Sequence, residues 1–268
     1  EHQFHTAVMR SHLRLTYDVA YQALFEGRPE ARKRVGYLLP KLLPLVDLYR
    51  VLLDARRRRG ALDFESMEPH YDFDADGRVR GIGTLLRNDA HKLIEECMIL
   101  ANVAAARQLK GAKAGGLYRV HGVPEEKKLD QLVAQLAALG IDAALPEEIE
   151  PRDLRRITER LGRNADRAFI ESLVVRSMQQ ALYQPVNIGH FGLALGEYAH
   201  FTSPIRRYPD LVVHRAIKAT LDTRDPAGVR YEGGALTPLG QDLSRLEKRA
   251  DESDRKSTRL NSSHVSES

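Results

Sequence analysis

The sequence predicts a helix-rich α+β fold, and three observations lead to that class. Apolar residues recur at helical spacing through most of the 268 residues, as in amphipathic helices. Alternating apolar and polar residues, which are typical of strands, occur only in short runs. The 43% share of hydrophobic residues can build a sizeable core, and the length is at the upper end for a single domain. The predicted helices span residues 44–59, 88–110, 124–140, 151–161, 165–183 and 238–254, and the predicted strands span 62–64, 71–73 and 117–121.

Composition narrows the class of protein further. Cys97 is the only cysteine, so a disulfide within the chain is impossible and a reducing cytosol fits. No apolar stretch approaches the length that crosses a membrane, and no signal peptide precedes the first residues. We therefore expect a cytoplasmic, monomeric protein without membrane contact.

Residues 7–25 have the pattern of a strand end that continues into a helix. Tyr17 lies early in this segment, and the residues alone favour an aromatic at the edge of the core. The helix predicted at residues 44–59 ends in four arginines, Arg56 to Arg59, where cations interact favourably with the helix dipole. Such a run is usually a solvated helix end, so we assign no ligand to it.

Short predicted strands flank a turn that is similar to the start of a calcium-binding loop. Asp72, Asp74, Asp76 and Gly77 have the required spacing, but the twelfth position, which needs a bidentate Glu, is Gly83. The flanking residues are strand-like. We therefore predict a hairpin turn at Asp76 and no calcium site.

The helix predicted at residues 88–110 is the second most informative segment. Asn88 is a suitable N-cap, and residues 97–106 are apolar nearly all round, so this part should be buried. Glu95 and Glu96 enter just before that run, and a buried carboxylate is costly unless it is paired or hydrogen-bonded. At least one of them should therefore face a cavity, a cation or a sugar hydroxyl, with a salt bridge to an arginine of the fold as the rival interpretation.

Segment 187–218, NIGHFGLALGEYAHFTSPIRRYPDLVVHRAIK, contains more unusual residue choices than any other stretch. Ser203 is a suitable N-cap followed by proline, and the Tyr208–Pro209 step offers a second helix start one turn later. Arg206 and Arg207 then fall in or beside a first helical turn, where free N–H groups and the helix dipole already favour an anion. Because arginine offers a planar fork to phosphate oxygens, the pattern favours a phosphate site over a solvated basic helix start.

Three blocks of the sequence resemble one enzyme family. HFGLALGEYAHFTSPIRRYPDLVVHRAIK is similar to the signature segment of the ribonuclease II/ribonuclease R exoribonucleases, the RNB catalytic domain, and its Arg-Arg-Tyr-Pro-Asp form is most similar to the ribonuclease R branch. RNDAHKLIEECMILANVAAAR and MRSHLRLTYDV resemble two further family segments, in the correct order. The resemblance covers nearly all of residues 1–254 and implies the C-terminal larger part of an RNB-type catalytic domain.

The resemblance implies one catalytic residue and a set of RNA contacts. The predicted RNA-binding residues are Tyr17, Phe64, Glu96, Ser203, Arg206 and Arg207. Arg206 matches the position that contacts the scissile phosphate and is the predicted catalytic residue, whereas Arg207 is expected to pair with an acidic residue of the fold. Tyr17 would pack on a ribose or base, and Glu96 would line the RNA path. Phe64 would stack on bases, with a buried strand residue as an equally weighted alternative.

The resemblance also implies the reaction, which is processive hydrolysis of single-stranded RNA from the 3′ end to nucleoside 5′-monophosphates, with Mg²⁺ held by an aspartate cluster. In the family that cluster lies upstream of the point where this chain begins, and no closely spaced Asp group in residues 1–254 replaces it. His190, His200 and His214 lack the close spacing of a helical zinc site. We therefore predict no metal ligands in this chain and expect it to be inactive alone. The alternative is a non-catalytic RNA-binding module or an inactive relative.

The end of the sequence differs in character from the rest. Residues 255–268, RKSTRLNSSHVSES, have no apolar periodicity, and we predict a non-native disordered tail. The tail holds three cationic residues and one acidic residue, a net +2, so the formal charge of +4 falls to +2 without it. Global charge is therefore a weak argument for nucleic acid, and local clusters such as Arg206–Arg207 matter more.

Overall fold

The structure is a computed structural model that describes residues 2–62, 68–74, 79–85, 87–160, 167–222 and 224–265. Helices dominate these ranges, as the predicted α+β, helix-rich class requires. The helices are α1 (Tyr17–Leu24), α2 (Pro29–Val35), α3 (Leu39–Arg59), α4 (Asp89–Gly111), α5 (Glu126–Ala138), α6 (Pro151–Arg160), α7 (Arg167–Ser177), α8 (Tyr208–Leu221) and α9 (Gly233–Val265). The strands are β1 (Glu68–Phe73), β2 (Val79–Leu85), β3 (Tyr118–Val120) and β4 (Leu182–Gln184).

The chain divides into two compact units. Unit 1 comprises residues 1–5, 101–128 and 178–268, and unit 2 comprises residues 6–100 and 129–177. Helix α4 begins in unit 2 and ends in unit 1. Among the described residues, no helix combines the length and the apolar character needed to cross a membrane.

Unit 2 is built mainly of helices that bury small apolar side chains. Helix α1 is capped by Thr16, whose Oγ1 accepts from the Val19 N–H at 3.3 Å. Ala23, Ala31 and Val35, each at most 6% exposed, form the core where α1 meets α2. Helix α3 ends at Gly60 with φ +77°, and a Cβ there would lie 2.6 Å from the Cβ of Arg152. This helix end therefore requires glycine.

The predicted hairpin of unit 2 is confirmed by its strands. β1 and β2 pair antiparallel, with Tyr71 opposite Ile82 and Glu68 opposite Leu85. The predicted turn residue Asp76 lies outside the described residues. Antiparallel strands joined by so short a connection form a hairpin.

Helix α4 begins as predicted. The Asn88 side-chain oxygen accepts from the N–H groups of Ala90 and His91 at 3.1 and 3.3 Å, which is the geometry of an N-cap. Toward its other end, Ala105 and Leu109 are fully buried in unit 1. The apolar stretch therefore contributes to the core, but it is not buried all round as its pattern predicts, because Leu100 is 46% exposed.

Unit 1 packs α8 and α9 against α4 and a two-stranded sheet. Val213 and Ile217 of α8 share a core with the last turns of α4 and with β3. β3 and β4 pair antiparallel, with Arg119 opposite Tyr183. Helix α9 approaches β4 closely at Gly240, where a Cβ would lie 2.4 Å from the Tyr183 carbonyl oxygen. Only glycine fits at this contact.

The structure differs from the predicted elements at several places, and α3 for example begins at Leu39 rather than at residue 44. Residues 2–16 form no strand. The helix predicted at 165–183 ends at Ser177, because residues 182–184 pair with β3 instead and tertiary pairing overrides local helical periodicity. Helix α9 includes residues 255–265, where a disordered tail is predicted, since a helix that is already formed extends at little cost. The non-native origin of that segment stays a prediction.

Candidate nucleic-acid interface

Segment 187–218 begins as a tight loop in unit 1 that its own polar groups hold together. Asn187 Nδ2 donates to the Gly196 carbonyl at 2.8 Å, and Asn187 Oδ1 accepts from the Gly189 N–H at 3.1 Å. Gly189 has φ +81°, and a Cβ there would lie 3.1 Å from the Leu195 carbonyl oxygen. The loop therefore requires glycine at this position and presents a fixed backbone.

His121 is held in one neutral form by this loop. Its Nδ1 accepts from the Gly192 N–H at 3.1 Å, so the ring hydrogen is on Nε2, which donates to the Gln179 carbonyl at 2.8 Å. Burial lowers the pKa of His121, Arg119 lowers it further, and the bond to Gln179 opposes both effects. His121 is thus an uncharged support of the loop.

A cluster of rings and charges lies in the same unit. Tyr183 of β4 is hydrogen-bonded to His200 Nδ1 at 2.8 Å and donates to Glu247 Oε1 at 3.3 Å. The Arg119 guanidinium lies over the Tyr183 ring, 4.5 Å from its centroid, and pairs with Glu247 Oε2 at 2.6 Å. The cation and the carboxylate neutralise each other, so the cluster is a support rather than an anion site.

Burial keeps the histidines of this region uncharged. Desolvation lowers the pKa of His200 to about 2, and the cations Arg207 and Arg119 lower it as well. Desolvation likewise lowers the pKa of His190 to about 3, assisted by His121 and Arg119. Because these imidazoles are neutral, they do not attract a phosphate electrostatically. The arginines are left to do so.

The turn before α8 corrects one detail of the prediction. The Ser203 carbonyl accepts from the N–H groups of Arg206 and Arg207 at 3.2 and 3.0 Å, and α8 starts only at Tyr208. Ser203 is therefore not the N-cap, and the helix uses the second predicted start, with Arg207 in the extended cap conformation. The physical reason is Asp210, whose Oδ1 accepts the Ser203 N–H at 2.7 Å and holds that residue in the preceding turn.

The two arginines of the turn have different surroundings. Arg207 Nη2 donates to Asp210 Oδ1 at 2.8 Å, which confirms the expected pairing with an acidic residue. Arg206 is exposed, and its side chain makes no hydrogen bond or ion pair with the described residues. It lies two residues before α8, near the positive end of the helix dipole. This guanidinium is therefore available to an anion.

Glu96 lies in a buried ion-pair network of unit 2. Its carboxylate is 3% exposed and accepts from Arg56 Nη1 at 2.6 Å. Arg56 also contacts Glu95 at 3.3 Å, and Arg87 pairs with the other oxygen of Glu95. The rival interpretation of Glu96, a salt bridge to an arginine of the fold, is therefore present, and its RNA contact stays a prediction. The prediction of a solvated helix end is wrong for Arg56, which is 9% exposed. Its buried partner Glu96 lies 40 residues later, so the local sequence around Arg56 does not indicate this burial.

Tyr17 stacks on a histidine in unit 2. The ring centroids of Tyr17 and His91 are 3.9 Å apart with an interplanar angle of 23°. His91 Nδ1 is hydrogen-bonded to Asn88 Oδ1 at 2.8 Å, so the α4 cap also fixes this ring. Tyr17 is 45% exposed, which leaves part of its ring for a base or ribose. Phe64, the other predicted stacking residue, lies outside the described residues.

The predicted site residues thus fall into two groups. Ser203, Arg206 and Arg207 come together in one turn of unit 1, whereas Tyr17 and Glu96 belong to unit 2. Sequence reasoning overlooked His91 and Asp210. The signals were present, since His91 follows the predicted cap by three residues and an acidic residue follows the two arginines within the first helical turn.

The chain is similar to several known proteins. The family model described as RNB domain matches residues 1–223. Ribonuclease R of Escherichia coli K12 is 44% identical over 262 residues, which cover 95% of this chain and 32% of the relative. The chain therefore spans about a third of the length of the curated relatives it matches.

Solved structures resemble the fold as well. RNase R of Mycoplasma genitalium, solved in complex with ribose-methylated single-stranded RNA, superposes with a TM-score of 0.80 at 23% identity, covering 92% of this chain and 39% of the other. The match confirms the predicted fold class. Yeast Ssd1, described as a pseudonuclease, matches with a TM-score of 0.51 at 25% identity, covering 59% of this chain and 20% of its own.

Proposed function

Because this chain belongs to the RNB domain family, we propose that the full-length protein is a processive 3′-to-5′ exoribonuclease that hydrolyses single-stranded RNA to nucleoside 5′-monophosphates. One observation carries the proposal for the site. Arg206 is an exposed guanidinium beside the start of α8, without a partner among the described residues, within the segment that matches the family signature. An arginine left in that electrostatic position is suited to a phosphate.

The proposed role of Arg206 is to stabilise charge on the scissile phosphate. A planar guanidinium can donate two parallel hydrogen bonds to phosphate oxygens as negative charge develops on them. Arg207 is less available for this role, because its Nη2 is already committed to Asp210. Arg206 is therefore the catalytic residue of the proposal, and Arg207 supports the turn.

RNA binding is proposed to involve aromatic and charged side chains. Exposed aromatic rings stack on bases without regard to sequence, and arginines neutralise phosphates. Tyr17 has the exposure and the fixed orientation for stacking. The proposed contacts are Tyr17, Phe64, Glu96, Ser203, Arg206 and Arg207.

Magnesium is the cofactor that the family implies. The described residues contain no group of three or more His, Cys, Asp or Glu side chains that could hold a metal ion, so they do not fit Mg²⁺. We propose that the Mg²⁺ ligands belong to residues outside this chain. The 268-residue chain would then bind RNA without cleaving it.

A second candidate function is RNA binding without cleavage, which the likeness to a pseudonuclease favours. One experiment separates the two. The full-length protein is incubated with Mg²⁺ and a 5′-labelled single-stranded RNA, the length of the labelled RNA is followed over time, and released mononucleotides are measured by chromatography. Loss of the full-length RNA with direct appearance of a short 5′-labelled end product is expected of a processive 3′-to-5′ enzyme, whereas an intact RNA under these conditions would favour the second candidate.

The same assay tests Arg206. Arg206→Ala should lower the single-turnover cleavage rate by about 100-fold or more, since removal of one preorganised donor to a developing oxyanion has that effect. Arg206→Lys should recover only part of the rate, because a point charge cannot reproduce the fork. Arg224→Ala removes another exposed arginine of unit 1, with no predicted role, and should leave the rate unchanged. Weaker RNA binding with unchanged cleavage in Arg206→Ala would make Arg206 a binding residue only.

A further inference from the structure

A fully buried carboxylate supports the turn that contains Arg206. Asp210 is 0% exposed, and one oxygen, Oδ1, accepts both the Ser203 N–H at 2.7 Å and Arg207 Nη2 at 2.8 Å. Its other oxygen, Oδ2, has no hydrogen-bond partner among the described residues. A charged group at such depth is costly unless it is paired and hydrogen-bonded, as Asp210 is through Ser203 and Arg207.

The bonds of Asp210 hold the chain on both sides of Arg206. Ser203 begins the turn, and its carbonyl accepts from the N–H groups of Arg206 and Arg207. Asp210 holds Ser203 through the backbone and Arg207 through the side chain, so the residues before and after Arg206 are anchored to one carboxylate. Of the two arginines in this turn, Arg206 is exposed, whereas Arg207 is half-buried.

This arrangement is not that of an ordinary helix cap. Asp210 is the third residue of α8, where an acidic side chain commonly accepts the backbone N–H of the N-cap. Here the N-cap is Arg207, and its backbone N–H donates to the Ser203 carbonyl instead. The carboxylate reaches back seven residues to Ser203. Its bonds therefore fix the turn rather than the helix end.

We propose that Asp210 is a positioning residue that acts through Arg206, by fixing the backbone from which the guanidinium reaches the scissile phosphate. The inference rests on the proposed function of Arg206. A small displacement of a catalytic group lowers a reaction rate steeply, by roughly 100-fold for about 1 Å. Substrate affinity depends on many other contacts and should change little.

The test is a double-mutant cycle in the full-length protein. Single-turnover cleavage of single-stranded RNA and its Kd are measured for the wild type, Asp210→Asn, Arg206→Ala and the double variant. Asp210→Asn keeps the shape and removes the charge, and it should lower the cleavage rate by about 10-fold or more while Kd changes by less than about 3-fold. With alanine already at position 206, adding Asp210→Asn should change the rate by less than about 2-fold.

A purely structural carboxylate would give a different pattern. In that case Asp210→Asn would lower the rate through loss of folded protein, by the same factor with Arg206 present and with Arg206→Ala. That result would overturn the proposal. Glu171→Gln is the matched control, since Glu171 is a buried carboxylate of unit 2, 7% exposed, that pairs with Arg167. It should lower the melting temperature and leave the rate per folded molecule unchanged.

A second variant tests the same inference if Asp210→Asn does not fold. Arg207→Lys keeps the charge and removes the Nη2 donor, and it should show the same dependence on Arg206. Equal effects of Arg207→Lys in both backgrounds would again refute the inference. If instead the wild type releases no mononucleotides, or Arg206→Ala cleaves as fast as the wild type, the proposed function of the site fails.

Discussion

Acidification should destabilise unit 1 at pH values above those at which ordinary carboxylates titrate, because two of its histidines are buried without charge. The pKa of His190 is lowered to about 3 and that of His200 to about 2, whereas an unfolded chain has histidines near 6.5. Below pH 6.5 these two histidines are therefore protonated in the unfolded state and remain unprotonated in the folded state. Stability is complete above pH 6.5 and is lost as pH falls toward the folded values.

The size of the effect follows from these values. Each histidine lowers the free energy of unfolding by about 1.4 kcal/mol per pH unit below 6.5. Between pH 7.5 and pH 5.0 the two together should remove about 4 kcal/mol, a large part of the stability of an ordinary domain. Ordinary carboxylates titrate mostly below this window, so histidines dominate it.

Urea unfolding of the chain at pH 7.5 and pH 5.0 measures this loss. Far-UV circular dichroism and tyrosine fluorescence should give coincident transitions, which is the check for two-state behaviour. His200→Gln should reduce the pH-dependent loss by about 2 kcal/mol. His5→Gln, at an exposed histidine of the same unit, is the control and should leave it unchanged. Equal stability at both pH values in the unsubstituted chain would refute the reasoning.

Three further predictions concern RNA binding and the ion pair of unit 2. The purified chain should bind single-stranded RNA weakly, with affinity that falls as salt rises, and release no mononucleotides with Mg²⁺; detected release would contradict this. Tyr17→Ala should weaken RNA binding by about 1–3 kcal/mol in the full-length protein, as measured by fluorescence anisotropy, and His91→Ala should weaken it by less. A lower melting temperature with unchanged affinity would make both residues structural. Glu96→Gln should destabilise the protein by about 3 kcal/mol in urea unfolding, because Arg56 loses its closest buried partner, whereas Asp47→Asn, in an exposed pair, should cost less than about 1 kcal/mol.

Local signals in the sequence predicted the parts of the structure that depend on neighbouring residues. The Asn88 cap and the buried part of α4 follow from patterns within a few residues, whereas the acidic partner expected for Arg207 was not identified as Asp210. Features that depend on distant partners were missed. Arg56 is buried because of a glutamate 40 residues later, and residues 182–184 form a strand because β3 lies beside them. Periodicity alone contains no information on such partners.

The discontinuous make-up of unit 1 has a consequence for synthesis on the ribosome. Asn102 is 2% exposed, and its amide donates to the Tyr198 hydroxyl and accepts from the Phe201 N–H. These partners follow 96 and 99 residues later in the chain. At roughly 5–20 residues per second, they leave the ribosome about 5–20 s after Asn102 does. During that interval the core that covers the apolar face of α4 is incomplete. This face is therefore accessible to chaperones and to other nascent chains.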